Sequence, residues 1–522
     1  MNCFHGAILS VNEQDTVFHY LVEQEGRIVY VGDSLPDRYR PVEVIELGDQ
    51  ALLPAFVDTH QHFASFSTFH AGLNVMQARS NAEILEMVRS FAEKSTAKTL
   101  IAFGASPYSV AEKRLVTRQE LDSVCPDKEL LVVKYDGHAC IVNTRLLDRM
   151  RPKVEHLRGY HPDTGEMNQE AFFRFSDDIT SALSIPELFR NMQSAVDFMA
   201  SRGIGCVHTV SGVGFVGNLD ITMEKIFGKS LKNGFQLRVF PQSLDIRTAT
   251  SRKLPRIGGC FACALDGCFG SHDAALTQPY SDETGGTGVL YYDDQKVTDF
   301  CKEANRAGLQ IELHAIGDRA FDQACQALKA ALDDCPRTDH RHGIIHSCLP
   351  TQEGLDICRE YHIQMPVQSA FIGWEQEPDA YLESILGKQR LDRLNPLKTF
   401  RNNGIPVSFG SDAPCTTPDP ISWIHRAVNH SNLAQRVSVE DAVRMCTFNG
   451  CFAAFDEQER GSLEPGKIAD MVVLSANPYT TPHQNLKDLQ VKQLYLTGKP
   501  YESCKESIVK AVLRGMISDR KV

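Results

Sequence analysis

The pattern of hydrophobic and polar positions divides the chain into two ends and a middle. Near the start, short apolar runs separated by turn residues such as Glu25-Gly26 predict strands at 6–9, 17–22, 27–31 and 42–47. The same pattern returns only near the other end, at 469–474 and 491–496. The simplest inference is that both chain ends build one small β-domain beside the residues between them.

In the middle, helical and strand patterns alternate in the order typical of a parallel sheet or barrel. A region at about 64–180 carries no such alternation and indicates an irregular insertion. Ser184, with Glu187 three residues later, predicts the start of a helix that runs to about 202. The further predicted helices are at about 294–307 and 318–333, and the predicted strands are at 204–210, 309–314, 343–346, 363–368 and 405–412.

Five polar side chains stand where apolar strands stop. His60 and His62 are two positions apart at the end of the run 53–62, so in a strand both imidazoles point to one side. His314, His346 and Asp412 each end another strand. Alone, each could be a hydrogen-bonded core residue or a turn cap. Because barrel enzymes build their sites at the C-terminal strand ends, the set predicts a centre for a divalent transition metal.

Composition limits the classes of function. The 522 residues are 42% hydrophobic and 23% charged, and the net charge of -12 argues against nucleic acid or an anionic membrane as partner. No apolar run approaches the roughly 20 residues of a membrane span, and the first residues lack a signal-peptide pattern. Most of the sixteen cysteines are scattered singly, which suits a reducing compartment. We therefore expect a cytoplasmic protein with a small-molecule substrate.

These residues resemble the amidohydrolase superfamily of metal-dependent hydrolases, most closely its N-substituted formamide deformylase-like branch, amidohydrolase family 3. The matching segments run in the expected order over nearly the whole chain: 53–62, 136–139 with Asn143, 265–267 with Gly270-Ser271, 314–318, 345–346, 410–414 and 461–470. The resemblance implies an α/β fold, with a distorted (β/α)8 TIM barrel at 54–459 and a small β-sandwich domain formed by 1–53 and 460–522. It also implies a divalent metal, usually zinc, held by His60, His62, His314, His346 and Asp412.

One position departs from the family pattern. Two-metal members carry a lysine four residues before the Asp-Gly of the fourth strand, and its carbamylated side chain bridges the ions; here that position is Ala262. This change favours one ion, with His346 outside the ligand set or acting on the transition state. Alternatively, another group replaces the lysine, and Cys260 and Cys263 are nearby thiols that could bind zinc, although small thiols that fill a core layer are the favoured interpretation.

The resemblance also implies roles in catalysis and substrate binding. We expect Asp412 to take a proton from water and pass it to the departing nitrogen, and His346, where it is not a ligand, to stabilise the oxyanion. His138 and Asn143 match a family segment near the substrate, and Asp266 is a further candidate contact. For His138, an ordinary loop histidine is an equal alternative.

Three hypotheses of function follow. The first is hydrolysis of a non-peptide C–N bond in a linear amide, an N-substituted formamide or an N-acyl compound. The second is a one-metal deaminase or cyclic amidase, for which Glu312, two residues before His314, could be the catalytic glutamate; a salt-bridged interior carboxylate is the alternative. The third is a catalytically silent relative that only binds a ligand.

The last twenty residues extend beyond the usual end of the family. Apolar residues at helical spacing between Ile508 and Ile517 predict a helix at about 503–520 with one apolar face. Packing of this face on the chain's own barrel is favoured, and dimerisation through it is the alternative.

Overall fold

Strands and helices succeed one another through the structure, a computed structural model that describes residues 1–40, 43–212, 215–283 and 285–522. The fold is of the α/β class. The strands are β1 (Asn2–Leu9), β2 (Val17–Gln24), β3 (Arg27–Gly32), β4 (Val44–Pro54), β5 (Phe56–Gln61), β6 (Leu73–Asn74), β7 (Thr99–Ala105), β8 (Glu129–Lys134), β9 (Ala139–Val142), β10 (Tyr160–His161), β11 (Glu166–Asn168), β12 (Ile204–Ser211), β13 (Gln236–Pro241), β14 (Arg256–Ala264), β15 (Gln310–Ala315), β16 (Gly343–His346), β17 (Met365–Val367), β18 (Val407–Phe409), β19 (Met471–Leu474), β20 (Val491–Leu496) and β21 (Lys499–Pro500).

The helices are α1 (Phe63–His70), α2 (Asn81–Lys94), α3 (Arg118–Val124), α4 (Thr144–Val154), α5 (Gln169–Ser181), α6 (Ile185–Ser201), α7 (Leu219–Ser230), α8 (Arg247–Thr250), α9 (Asp294–Arg306), α10 (Asp318–Asp334), α11 (Gln352–Glu360), α12 (Asp379–Leu386), α13 (Lys388–Leu391), α14 (Leu397–Asn402), α15 (Pro420–Val428), α16 (Val439–Cys446), α17 (Phe448–Ala453) and α18 (Ile508–Ile517). As predicted, Ser184 caps α6: its hydroxyl accepts from the backbone N–H of Glu187, whose carboxylate accepts from the N–H of Ser184. No helix in the described parts of the chain is long and apolar enough to span a membrane.

The two chain ends share one sheet of seven strands, in the order β21-β20-β19-β4-β1-β2-β3. The central pair β1 and β4 is parallel, and β19 from the far end runs antiparallel to β4. Buried apolar side chains from both ends, among them Phe4 and Met471, form its core. The strands predicted for both ends are confirmed; β4 begins at Val44, and Val42 of the predicted run lies outside the described residues.

Eight strands with parallel neighbours carry the middle of the chain. They form the sheets β5-β12-β13, β14-β15-β16 and β17-β18 in parallel ladders. Parallel bridges join Gly343 to Gln364 and Gln61 to Ala413, so β16 lies beside β17 and β18 lies beside β5. Predicted strands correspond to β12, β15, β16, β17 and β18. Strand β13 was not predicted, because Arg238 interrupts its apolar run. This arginine is buried beside Asp456, with 2.6 Å between Nη2 and Oδ2.

The region at 64–180 contains regular strands and helices, so the prediction that it is irregular is wrong. That it is inserted into the barrel stays a prediction, and residues 64–180 are called the insertion below. Six strands form a sheet in the order β10-β11-β9-β8-β7-β6, and the helices α2 to α5 belong to the same region. Two clusters of buried apolar residues pack around this sheet. Four of the six strands, β6, β9, β10 and β11, have only two to four residues, which is too short for a periodic sequence signal.

The C-terminal helix α18 is shorter than predicted and packs on α7. Ile508 and Val512 contact the main core, whereas Val509 and Leu513 are exposed, so the apolar residues occupy two faces rather than one. Dimerisation through the exposed residues stays a prediction. Gly515 is the buried point of closest approach, because a side chain there would collide with the backbone oxygen of Ile226.

Replacement of Gly515 should therefore weaken the attachment of α18. Gly515→Val adds a branched side chain against a backbone carbonyl, and we expect it to lower the free energy of unfolding by about 1–3 kcal/mol. Urea denaturation followed by circular dichroism measures the change. Lys510→Ala, on the exposed side of the same helix, is the control. Equal stability of both variants and the wild type would contradict the close packing.

Candidate metal centre

Three potential metal ligands meet where β5 runs beside β18. His60 lies in β5, His62 follows directly before α1, and Asp412 lies just after β18. Oδ1 of Asp412 is 3.2 Å from Nε2 of His60 and 3.2 Å from Nε2 of His62. All three side chains are buried, so the two strand ends bring three of the five predicted donors together.

Two histidines from the neighbouring strands join this group. The rings of His314 in β15 and His346 in β16 have centroids 4.5 Å apart, and the His346 ring is 5.4 Å from that of His60. Nδ1 of His346 donates to Oε1 of Gln368 at 2.5 Å. Nδ1 of His314 is 3.4 Å from Oδ1 of Asp266. Contacts of this kind orient an imidazole and leave its Nε2 to bind metal.

Cys260 lies between the two pairs of histidines. Its Sγ is 3.3 Å from Nε2 of His60 and 3.5 Å from Nε2 of His346. Three groups of possible ligands have atoms within 4.8 Å of one another. Two contain Cys260, one with His60 and His62 and one with His314 and His346, and the third consists of His60, His346 and Asp412. The sulfur thus belongs to two of the groups and connects them.

A bulge in β14 explains why Cys260 rather than its neighbours reaches the donors. The register of β14 against β15 shifts between Gly259 and Ala264. Ala262, where the family pattern has lysine, is exposed on the wall of the adjacent cavity. Cys263 is fully buried and belongs to none of the possible ligand groups among the described residues. Of the two candidate cysteines, the structure brings only Cys260 to the site.

The spacing of these donor atoms fits a metal ion. In tetrahedral zinc sites, bonds of about 2.0–2.3 Å separate neighbouring ligand atoms by about 3.3–3.6 Å. The distances around Asp412 and Cys260, 3.2 to 3.5 Å, are close to this range. Oδ1 of Asp412 makes no hydrogen bond with any described residue, although it is buried beside two imidazole nitrogens. A cation between the atoms would satisfy all of them.

The electrostatics of the site favour a bound cation. Burial lowers the pKa of His60 and of His346, which keeps both imidazoles neutral and able to bind metal. Burial opposes the charge of Asp412, but its contacts with His60 and His62 hold the pKa of this carboxylate well below its ordinary value. Burial, and then the charge of Asp412, raise the pKa of the Cys260 thiol. A coordinated metal reverses that shift, because thiols bind metals as thiolates.

Asp58 connects the two segments that carry His60 and Asp412, a role that was not predicted from the sequence. Its carboxylate accepts from the backbone N–H of His60 at 3.3 Å and from the N–H and hydroxyl of Ser411 at 2.8 and 2.6 Å. Burial raises the pKa of Asp58 to about 7. The signal was available: Asp58 precedes His60 by two residues and therefore lies on the same side of β5.

The donors open onto a cavity of about 460 Å³. Its wall combines metal donors with aromatic and acidic side chains, among them Phe261, Phe371, Trp374, Asp136 and Glu377. Two predicted substrate contacts also line it: His138, whose ring centroid is 5.5 Å from that of Phe261, and Asp266.

The two other predicted substrate contacts lie outside the cavity lining. Asn143 is the N-cap of α4: its Oδ1 accepts from the N–H groups of Leu130 and Leu146, and its Nδ2 donates to two backbone carbonyls. All of its hydrogen-bonding capacity is used by the backbone, so it holds the insertion together. Glu312 is fully enclosed in β15, and burial raises its pKa to about 8.

A second cavity of about 60 Å³ also has His62 in its wall. The two cavities have His62, Asp136, Phe173, Phe261 and Cys415 in common in their walls. The smaller one is lined mostly by apolar residues of α1 and the insertion, such as Phe69 and Phe172. Of the donors among the described residues, His62 alone lines both cavities.

The family model and the similar proteins each match most of the chain. The family model of the amidohydrolase family matches residues 43–501. The Bacillus subtilis protein YtcJ is 25% identical over 527 residues, covering 92% of this chain and 97% of YtcJ. The N-substituted formamide deformylase of Arthrobacter pascens is 22% identical over 542 residues, covering 94% of this chain and 96% of that enzyme.

A solved structure extends the likeness to the fold. An uncharacterised metal-dependent hydrolase from Pyrococcus furiosus has a TM-score of 0.74 and 23% sequence identity, with coverage of 92% of this chain and 100% of that one. At this sequence identity, the similarity between the two structures concerns the fold of the backbone alone. Because the family model spans most of the sequence, and the donors sit at the strand ends that the motifs indicated, the chain belongs to the amidohydrolase family.

Proposed function

We propose that this protein is a metal-dependent hydrolase that cuts a non-peptide C–N bond in a small linear amide, either an N-substituted formamide or an N-acyl amine. The observation that carries the proposal is the cluster of buried donors at the floor of the 460 Å³ cavity, where His62, His314 and Asp412 reach the lining. Similarity to the Arthrobacter pascens enzyme, an N-substituted formamide deformylase by name, supports this substrate class.

The proposal includes the barrel and the β-sandwich domain that carry the site. We infer that the eight strands of the middle part close as a distorted (β/α)8 barrel, and that the sheet of the two chain ends is the β-sandwich domain of the family. The parallel bridge from Gln61 to Ala413 supports closure, because it joins the first of these strands to the last. The donors then stand at the C-terminal strand ends, where barrel enzymes carry their sites.

The metal would be held by His60, His62, His314, His346 and Asp412, with the thiolate of Cys260 shared between the two histidine pairs. Ala262 alone favoured one ion, but the position of Cys260 leads us to propose two, most simply Zn²⁺ because imidazole and thiolate suit it. Divalent ions bound here lower the pKa of water and polarise the substrate carbonyl.

We propose that Asp412 transfers the proton in this reaction. Its low pKa keeps it ionised, so it can accept a proton as water adds to the carbonyl carbon. When the C–N bond breaks, the same carboxyl group gives this proton to nitrogen, and an amine and a carboxylic acid leave. Phe261 and Phe371 line the cavity beside the donors and limit the access of bulk water.

The two cavities support a linear amide rather than a ring. We propose that the acyl side of the scissile bond lies toward the 60 Å³ cavity, which borders His62, and the nitrogen side toward the 460 Å³ cavity, which borders the other donors that reach a cavity wall. The small space suits a formyl or acetyl group, and the large one suits the substituent on nitrogen. The deaminase alternative depended on Glu312, which does not line the cavity. The silent-relative alternative predicts a protein without turnover.

The expectations about partners and location belong to the same proposal. A net charge of -12 and the enclosed, largely apolar cavity suit a small-molecule substrate. We propose that the protein acts in the cytoplasm without nucleic acid or membrane as partner.

Turnover and its dependence on metal test the reaction. We expect N-formyl and N-acetyl benzylamines to yield an amine and an acid, 1,10-phenanthroline to abolish turnover, and Zn²⁺ to restore it. Asp412→Asn should lower kcat by about 10²–10⁴, because the proton carrier is lost. Asp419→Asn, a carboxylate that caps α15 away from the cavity, is the control. Mass spectrometry identifies the products; ammonia from ring substrates would favour the deaminase, and a metal-free protein would contradict hydrolysis.

Metal analysis tests the shared thiolate. We expect about two ions per wild-type chain by plasma mass spectrometry, and a loss of at least one ion in Cys260→Ala. Cys263→Ala removes an equally buried thiol three residues away and should keep the wild-type content. Circular dichroism verifies that both variants fold. One ion in the wild type would support the interpretation from Ala262, and an unchanged metal content in Cys260→Ala would exclude its sulfur as a ligand.

A further inference from the structure

The lining of the larger cavity is acidic. Four carboxylates reach its wall, those of Asp136, Asp266, Glu377 and Asp412, and no lysine or arginine is among the described residues that line it. Asp412 belongs to the metal donors. The oxygens of Asp266 are already engaged, since they accept hydrogen bonds from the backbone N–H groups of residues 275, 316 and 317 at 2.8 to 3.0 Å. Two carboxylates therefore remain for the substrate end.

Of these two, only Glu377 lacks an ion pair in the described structure. Asp136 is 2.7 Å from Nζ of Lys134, which lies behind the wall. Oε1 of Glu377 accepts a hydrogen bond from the hydroxyl of Tyr135 at 2.8 Å. The carboxylate is 8% exposed and packs against Gly270, where a side chain would occupy its place. Burial raises the pKa of Glu377 to about 7, although the hydrogen bond from Tyr135 and the charge of Lys134 act in the opposite direction.

Aromatic rings separate Glu377 from the metal donors. The ring centroids of His346 and Phe371 are 5.9 Å apart, and those of Phe371 and Trp374 are 4.9 Å apart. Trp374 in turn lies edge to face with Tyr135, at 5.2 Å. A substrate that reaches from the donors to Glu377 must therefore have an apolar spacer.

We propose that Glu377 selects substrates that carry a second, protonated amine beyond an apolar spacer, which makes the preferred substrate an N-formyl or N-acetyl diamine. This inference rests on the proposed hydrolysis at the donor cluster. The small cavity takes the acyl group, the spacer lies along Phe371 and Trp374, and the ammonium group pairs with Glu377. N-acyl amino acids are disfavoured, because their carboxylate would meet Glu377 and Asp136 without a lysine or arginine in the lining.

Three amides of equal length test the selection. N-[4-(aminomethyl)benzyl]acetamide carries an ammonium group, N-(4-ethylbenzyl)acetamide an ethyl group of the same size, and 4-(acetamidomethyl)benzoate a carboxylate. We expect kcat/KM to fall in this order, with about tenfold between the first two, the effect of one charge pair. An ethyl amide equal to or better than the ammonium amide would overturn the inference while leaving the hydrolysis intact.

A variant and its control locate the effect. Glu377→Gln should lower kcat/KM for the ammonium amide at least tenfold more than for the ethyl amide. Glu375→Gln removes an exposed acid two residues away, paired with Arg426 outside the cavity, and should leave the ratio unchanged. A ratio that is preserved in Glu377→Gln would exclude this residue as the selecting group.

Binding separates the two proposals if no amide is turned over. Titration calorimetry with p-xylylenediamine and 4-ethylbenzylamine compares the same charge difference without any reaction. Tighter binding of the diamine to the wild type, by about tenfold, and loss of this difference in Glu377→Gln would support the selection even where the hydrolysis fails. Equal binding of the two amines to the wild type would reject it.

Discussion

A completely buried carboxylate, Asp58, holds the junction on which the metal donors depend. It joins β5 to β18, strands that are about 350 residues apart, through hydrogen bonds to the backbone of His60 and to the backbone and hydroxyl of Ser411. Burial of an acid is costly unless its oxygens are satisfied, so this register of the two strands is strongly favoured over any other. Because His60 and Asp412 lie in or next to these bonded residues, the distance between their donor atoms is set by the backbone. The chemistry proposed for the site begins from this fixed pair.

The donors from the other strands follow a simpler rule, which explains why the sequence could predict them. A polar residue that ends an apolar strand has few places to lie except the end of the sheet, and His314 and His346 do so. Cys260 escaped that reasoning. Spacing from the Asp-Gly pair pointed to position 262, but the bulge in β14 changes the side to which each residue points. A bulge depends on backbone contacts with the neighbouring strand, and these are absent from the spacing of a motif.

The fold was predictable where the periodic signal was long. The strands at both chain ends, the capped start of α6 and the strands that end in donors all have apolar runs of ordinary length. The signal failed for β13, because the buried pair of Arg238 and Asp456 places a charge inside a strand and the partner is distant in sequence. It failed again for the sheet of the insertion, in which four of the six strands have only two to four residues. Asn143 shows the same limit for function: a motif position near the site proved to be a helix cap, which only its partners reveal.

The substrate end of the cavity arises between segments that no local pattern connects. Tyr135 comes from the insertion, and its partner Glu377, 242 positions later, lies in the loop before α12. The loop is tied to the insertion by Gln376, whose Nε2 donates to the carbonyl of Met76 at 3.2 Å, and by Ser106, whose hydroxyl donates to the carbonyl of Gln376 at 3.3 Å. The insertion is therefore part of the cavity wall rather than an appendage. The metal donors depend on the β5–β18 junction, whereas the acidic end of the cavity depends on the contact between the loop before α12 and the insertion. Changes in the loop contact can therefore alter which substrate is bound while the junction preserves the reaction at the donors.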